Sequence, residues 1–202
     1  QGIDTVVLDR TGTITEGNPS VTDMRTAIRD TDLLLKIAYS LEKQSEHPLS
    51  VAIAEYANKF DTELLEVTEF EAIHGKGVKG SVGGEMYYAG NLKLMQDVGL
   101  DTSLFARQLE AFASEGKTPI LVADSKSVIG LFAVADKVKP SSRNAVRRLK
   151  DMNINVMMLT GDNQKTAAAV AGSIGITQVM AEVLPEDKES KIRAIQENGA
   201  KT

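Results

Sequence analysis

Cysteine and tryptophan are missing from the 202 residues, and aromatic side chains make up only 4% of them. Without cysteine there is no disulfide framework and no thiolate metal centre, which fits a reducing compartment. No stretch carries the long uncharged apolar run of a membrane span, and none has the layout of a signal peptide. Positive charge is also short: 23 Lys and Arg face 28 Asp and Glu, for a net charge of -5. A nucleic-acid partner would need a basic stripe, so none is expected. What is present is the mixture of a globular protein, 42% hydrophobic and 25% charged, long enough for one large domain or two small ones.

The run Thr5-Val6-Val7-Leu8 is β-branched and apolar, and reads as a buried strand ending at Asp9. Glu16–Ser20 is turn chemistry and a plausible exit from a first domain. Thr31 or Asp32 can cap a helix running through Leu34, Ile37, Ala38 and Leu41. A second helix is expected from Pro48, a residue favoured in the first turn, burying Ile53, Tyr56 and Ala57. From Glu66 the texture changes to alternation, with Val67, Phe70, Ile73, Val78, Val82, Met86 and Tyr88 broken by glycines, which predicts an antiparallel sheet. Helices over 91–98 and 102–114 and a hairpin around Asp124 complete an α+β block. After Asp136, helices over 141–152, 163–174 and 186–198 alternate with strands over 155–159 and 178–183, the pattern of βαβ units and a parallel sheet. The first strand has no helix behind it, so its partners must be these later strands. The expected fold class is therefore α/β: a Rossmann-like parallel sheet interrupted by an inserted α+β domain with an antiparallel sheet, divided as 1–22, 23–134 and 135–202.

Several stretches carry chemistry. In open α/β sheets ligands bind beyond the carboxyl ends of the strands. Asp9 sits at such an end, followed by Thr11, Gly12 and Thr13, and the group suits a phosphoryl group and a magnesium ion held by Asp9 and Thr11. For a lone Asp, the cap of a turn after a core strand is the better reading. Thr160-Gly161-Asp162 follows a second strand and opens a helix, which makes either an anion site or a plain helix cap. Lys188 lies near a helix N-terminus, where it works against the dipole unless an anion stands before it; a solvated lysine is the plainer alternative. Asp136-Lys137-Val138-Lys139-Pro140 marks re-entry into the α/β domain, as an acidic motif or a simple linker. Ser45-Glu46-His47-Pro48-Leu49 is a helix–helix corner whose His could serve only as a cap. Gly75, Gly77 and Gly90 could each be an ordinary turn glycine.

Taken in order, these stretches resemble the P-type cation-transporting ATPases, members of the haloacid dehalogenase-like superfamily. Asp9-Arg10-Thr11-Gly12-Thr13-Ile14-Thr15 resembles their phosphorylation motif Asp-Lys-Thr-Gly-Thr-Leu-Thr, and Ser45–Leu49 resembles the Ser-Glu-His-Pro-Leu signature of the heavy-metal-transporting (P1B) subgroup. The resemblance covers essentially the whole chain as a phosphorylation (P) domain with an inserted nucleotide-binding (N) domain. It implies ATP and Mg²⁺, with Asp9 as nucleophile and Thr11, Thr160, Gly161, Asp162 and Lys188 around the phosphoryl group. It implies an adenine pocket of Glu42, Glu46, His47, Pro48, Gly75, Gly77, Gly90 and Asn91. It further implies transmembrane and actuator domains in the same parent chain, a heavy-metal ion handled by the membrane part, and a place on the cytoplasmic side of a membrane. Two departures stand out. Arg10 replaces the usual lysine with a larger, differently directed fork, so weakened or lost catalysis is expected. The Gly-Asp-Gly-x-Asn-Asp motif that follows in the family does not occur, so a truncated piece is expected. The alternatives are a soluble phosphatase of the same superfamily with a large cap, and a non-catalytic nucleotide-binding module. Against the phosphatase stands Thr11, where those enzymes usually carry an acidic residue.

Overall fold

The computed structural model describes residues 2–198. Strand β1 (Thr5–Asp9) opens the fold and runs into a wide turn, Arg10–Ile14, in which Gly12 takes a φ of 79°. A second strand, β2 (Ser20–Thr26), follows. It was not expected, because Thr22, Asp23 and Arg25 break its apolar alternation, and it spans the boundary anticipated at residue 22. Helix α1 (Thr31–Glu42) is capped by Asp30, whose side chain accepts from the Leu33 amide, rather than by Thr31 or Asp32. Helix α2 (Pro48–Asn58) has Pro48 in its first turn, where a missing N–H costs nothing. Strands β3 (Thr68–Ile73), β4 (Gly77–Val82) and β5 (Glu85–Gly90) and helix α3 (Leu92–Asp97) come next. The helix expected over 102–114 is split into a short 3-10 turn, Ser103–Phe105, and α4 (Ala106–Ser114). Strands β6 (Thr118–Ala123) and β7 (Val128–Ala135) flank the Asp124 turn. The chain then alternates through α5 (Ser142–Asp151), β8 (Asn155–Leu159), α6 (Gln164–Ser173), β9 (Gln178–Met180) and α7 (Lys188–Glu197). Strand β9 is shorter than the 178–183 run predicted.

These elements form two compact units, one made of residues 2–18, 113–118 and 136–198, the other of Pro19–Phe112 and Pro119–Ala135. The first unit holds a parallel sheet in the order β1-β8-β9, with Asp9 opposite Leu159. Its core is built from Ile14, Val146, Val156, Met158, Ala167, Val170 and Ile174. Alanines on α6 keep that helix close to the sheet. The second unit holds a six-stranded sheet in the order β2-β7-β6-β5-β4-β3, with Phe132 of β7 fully buried. Helices α1 and α2 pack on it through Leu34, Ile37, Leu41 and Ile53, none more than 1% exposed. Burying one such side chain contributes roughly 1.5–3 kcal/mol. A parallel sheet interrupted by an α+β insertion with its own antiparallel sheet is the expected fold class. Among the described residues no helix is long and apolar enough to cross a membrane.

Candidate functional site

In the first unit, parallel pairing sets the ends of β1 and β8 side by side, so Asp9 and Thr160 leave the sheet at the same edge. Lys188, the first residue of α7, places its Nζ 2.9 Å from both carboxylate oxygens of Asp9. The pair is open, with side chains 27% and 41% exposed. Thr11 and Gly161 are also exposed, while Thr160 is buried. The Thr160 hydroxyl accepts from the Asp162 amide at 3.1 Å, and the Thr160 backbone is tied to Met180 and Val183. Thr160 therefore shapes its turn with the hydroxyl that the sequence assigned to an anion. Asn163 caps α6 through the Thr166 amide at 2.8 Å.

Arg10 follows Asp9 but turns inward and is only 5% exposed. One of its guanidinium nitrogens pairs with Asp162 Oδ2, and Thr118 Oγ1 donates to Asp162 Oδ1 at 3.1 Å. Its Nε has no hydrogen-bond partner among the described residues. Burial pulls the Arg10 pKa below its ordinary value, against the opposing pull of Asp136. The Asp136 carboxylate accepts from the Thr15 hydroxyl at 2.6 Å and from the amides of Gly17 and Asn18 at 3.1 and 3.2 Å. Asp136 thus ties the turn after β1 to the returning chain and is more than a linker residue.

In the second unit the predicted residues form two groups. Glu42 ends α1, is buried, and receives a hydrogen bond from Ser50; desolvation pushes its pKa up to about 7. His47 caps α2, its Nδ1 accepting from the Leu49 amide at 3.1 Å. That bond leaves the ring proton on Nε2. Surrounding protein lowers the His47 pKa by desolvating the cation, so the neutral ring is favoured. Glu46 and Pro48 are exposed at the same corner. The other group is the β3–β4 turn. Asn91 donates from Nδ2 to the Gly75 carbonyl at 2.9 Å, donates its amide to the Lys76 carbonyl, and caps α3 through the Leu94 amide. Gly77 and Gly90 face each other across β4 and β5. A Cβ on Gly90 would lie 2.1 Å from the Lys76 carbonyl oxygen, and one on Gly77 2.1 Å from that of Ala89. Both glycines are thus required by the close approach of two backbones. Helix α1 packs on β4 and β5, which places Glu42 and this turn on neighbouring elements.

Residues 3–202 match the haloacid dehalogenase-like hydrolase family. The chain belongs to that family. Among curated relatives, a copper-exporting P-type ATPase of Staphylococcus saprophyticus is 44% identical over 194 residues, 96% of this chain and 24% of the relative. A probable copper-transporting ATPase of Synechococcus elongatus is 45% identical over 202 residues, 98% of this chain and 27% of the relative. The chain spans about a quarter of the length of these relatives. Among solved structures, the catalytic domain of the CPx-ATPase CopB-B aligns with a TM-score of 0.75 at 26% identity, covering 98% of this chain and 68% of that one. A zinc-transporting PIB-type ATPase aligns with a TM-score of 0.62 at 29% identity, covering 97% and 32%.

For a haloacid dehalogenase-like hydrolase, the geometry adds residues that the sequence did not single out. Ser50 sits eight positions from Glu42 across a helix corner, and Thr118 comes from a distant turn; neither spacing carries a signal.

Proposed function

We propose that this chain is the ATP-binding and phosphorylation portion of a copper-transporting P-type ATPase. The observation that carries the reading is the Asp9 carboxylate at the end of β1, open to solvent and held at both oxygens by Lys188. An ion pair this exposed adds at most about 1 kcal/mol to stability, so its use lies in the positive charge that it places. Asp9 attacks the γ-phosphorus of ATP; a carboxylate O–P bond forms, the bond to the bridging oxygen breaks, and ADP leaves with that electron pair. Lys188 must release at least one Asp9 oxygen for attack and can then follow the charge onto the transferred group. Water later cleaves the acyl phosphate. Thr11 has no carboxyl group to activate that water, which favours a long-lived phosphoenzyme over rapid phosphatase turnover.

The donors near Asp9 fit Mg²⁺. Asp9 and Thr11 offer hard oxygen atoms, and Mg²⁺ commonly takes one or two carboxylates, substrate phosphates and retained waters. Among the described residues there is no cluster of three or more His, Asp or Glu that would make a dedicated protein cage. When bound, the ion supplies charge neutralisation at the phosphoryl oxygens. Gly161 and Asp162 border the same edge. The adenine end is assigned to the second unit. Glu42 there accepts from the exocyclic amino group, His47 offers Nε2–H, and Glu46, Pro48, Gly75, Gly77, Gly90 and Asn91 line the approach. Copper passes through a membrane part of the same parent chain, which also carries an actuator domain, and the present domains lie on its cytoplasmic side.

The test is incubation of the full-length protein with γ-labelled Mg-ATP followed by acid quench. An acid-stable, hydroxylamine-labile label that disappears in Asp9→Asn is expected. A label that survives Asp9→Asn would place the nucleophile elsewhere.

A further inference from the structure

The first unit contains a piece of chain, Ala113–Thr118, that sequence order would place within the inserted block. It lies against α6 and the turn that precedes it. Thr118 Oγ1 donates to Asp162 Oδ1 at 3.1 Å. The Lys117 carbonyl accepts from Thr166 Oγ1 at 2.8 Å, and Thr166 is fully buried. Gly116 takes a φ of 76°, and a Cβ there would lie 3.1 Å from Val170 Cγ2. Thr166 and Val170 share one face of α6, Asp162 lies in the turn just before its Asn163 cap, and residues 118, 117 and 116 meet the three in reverse order. Two hydrogen bonds and one close backbone approach hold the segment here.

The attachment at Thr118 is the one with chemical consequence. Asp162 is 12% exposed, and its two oxygens are divided between Arg10 and Thr118. Arg10 is bonded to Asp9, and its carbonyl accepts from both the amide and the hydroxyl of Thr15, closing the turn behind the carboxylate. Removing Thr118 Oγ1 leaves a nearly buried carboxylate oxygen without that donor and frees the carboxylate to rotate. The guanidinium then loses its fixed partner, and with it the turn that aims Asp9.

We propose that Thr118 is a positioning residue for phosphoryl transfer, acting through Asp162 and Arg10 on the turn that presents Asp9. The proposal rests on the phosphorylation reading above. Loss of one hydrogen bond to a charged group corresponds to a rate loss of roughly tenfold to a hundredfold. Thr118→Val keeps the shape and removes the donor, while Thr118→Ser keeps the donor; Thr118→Ala replaces the valine variant where that fails to fold. In the full-length protein, Thr118→Val should slow phosphoenzyme formation from ATP by that factor and leave ATP affinity unchanged. Thr118→Ser should restore the rate to within about twofold. An unchanged rate in Thr118→Val, a serine variant as slow as valine, or a parallel loss of ATP affinity would each overturn the proposal. If the unmodified protein forms no phosphoenzyme, the functional reading fails, and positioning is read from the Arg10 guanidinium protons by NMR hydrogen exchange. Slow exchange that becomes fast in Thr118→Val supports the strut, and equal protection in both overturns it.

Discussion

Glu42 carries the largest burden of any single side chain in the second unit, a carboxyl group whose burial raises its pKa from 4.5 to about 7. Because the folded value lies above the unfolded one, the protonated form stabilises the fold. That contribution is fully present below about pH 4.5 and is lost as pH rises through 7. The shift corresponds to something on the order of 3 kcal/mol. Glu42→Gln should abolish this part of the pH dependence. Urea denaturation of the two proteins at pH 5, 6, 7 and 8 should show the parent losing stability relative to the variant up to about pH 7. Parallel curves would mean that Glu42 titrates normally.

His47 needs a variant that separates its cap from its ring. His47→Asn retains an acceptor for the Leu49 amide, and asparagine is among the best N-caps, so stability should hold within about 0.5 kcal/mol. The imidazole Nε2–H is lost, and ATP affinity measured by calorimetry should fall about tenfold, as expected for one hydrogen bond. Unchanged affinity with unchanged stability would leave His47 as a cap and nothing more. Arg10 is the residue whose reading changed most. From sequence it is a larger, differently directed fork in place of the usual lysine, and the structure buries that fork against Asp162.

Among the elements, the β4–β5 pair is the least tolerant of change. Gly77 and Gly90 sit opposite each other with no room for a methyl group on either, whereas nothing lies within 4 Å of a Cβ at Gly84, in the hairpin turn of the same strands. Gly84→Ala should cost about 1 kcal/mol for its left-handed conformation alone. Gly90→Ala should cost about 3 kcal/mol or more, because the obstructing atoms are backbone. Thermal unfolding of the two variants should therefore separate widely, and similar midpoints would refute the close-approach argument. Elements with strong local signals were legible in the sequence. Pro48 announced α2, Asn163 and the alanines announced α6, and the Val-rich run before Asp9 announced β1. Elements whose stability comes from partners were not. Strand β2 is held by β7 despite its polar residues, and β9 stops at Met180 although Val183 is buried. The Asp9–Lys188 pair was legible because each residue sits at an element end. The Thr118–Asp162 bond was not, since it joins residues 44 positions apart without a periodic cue.

At the scale of the whole molecule, β1 is separated in sequence from β8, its partner strand among the described residues, by everything from the first turn to α5, and the second unit fills most of that gap. That arrangement brings a nucleophile from one end of the chain to a lysine from the other, 179 residues apart. Every other part of the functional account depends on that meeting producing a covalent intermediate at Asp9. The measurement that tests it most directly is borohydride reduction of the acid-quenched, ATP-treated full-length protein, followed by peptide mass spectrometry. Borohydride converts an aspartyl phosphate into homoserine and leaves free carboxylates unchanged. The account predicts homoserine at position 9, dependent on ATP and Mg²⁺ and lost in Lys188→Ala. Unmodified Asp9 in a sample that carries acid-stable label, or homoserine at another aspartate, would contradict it.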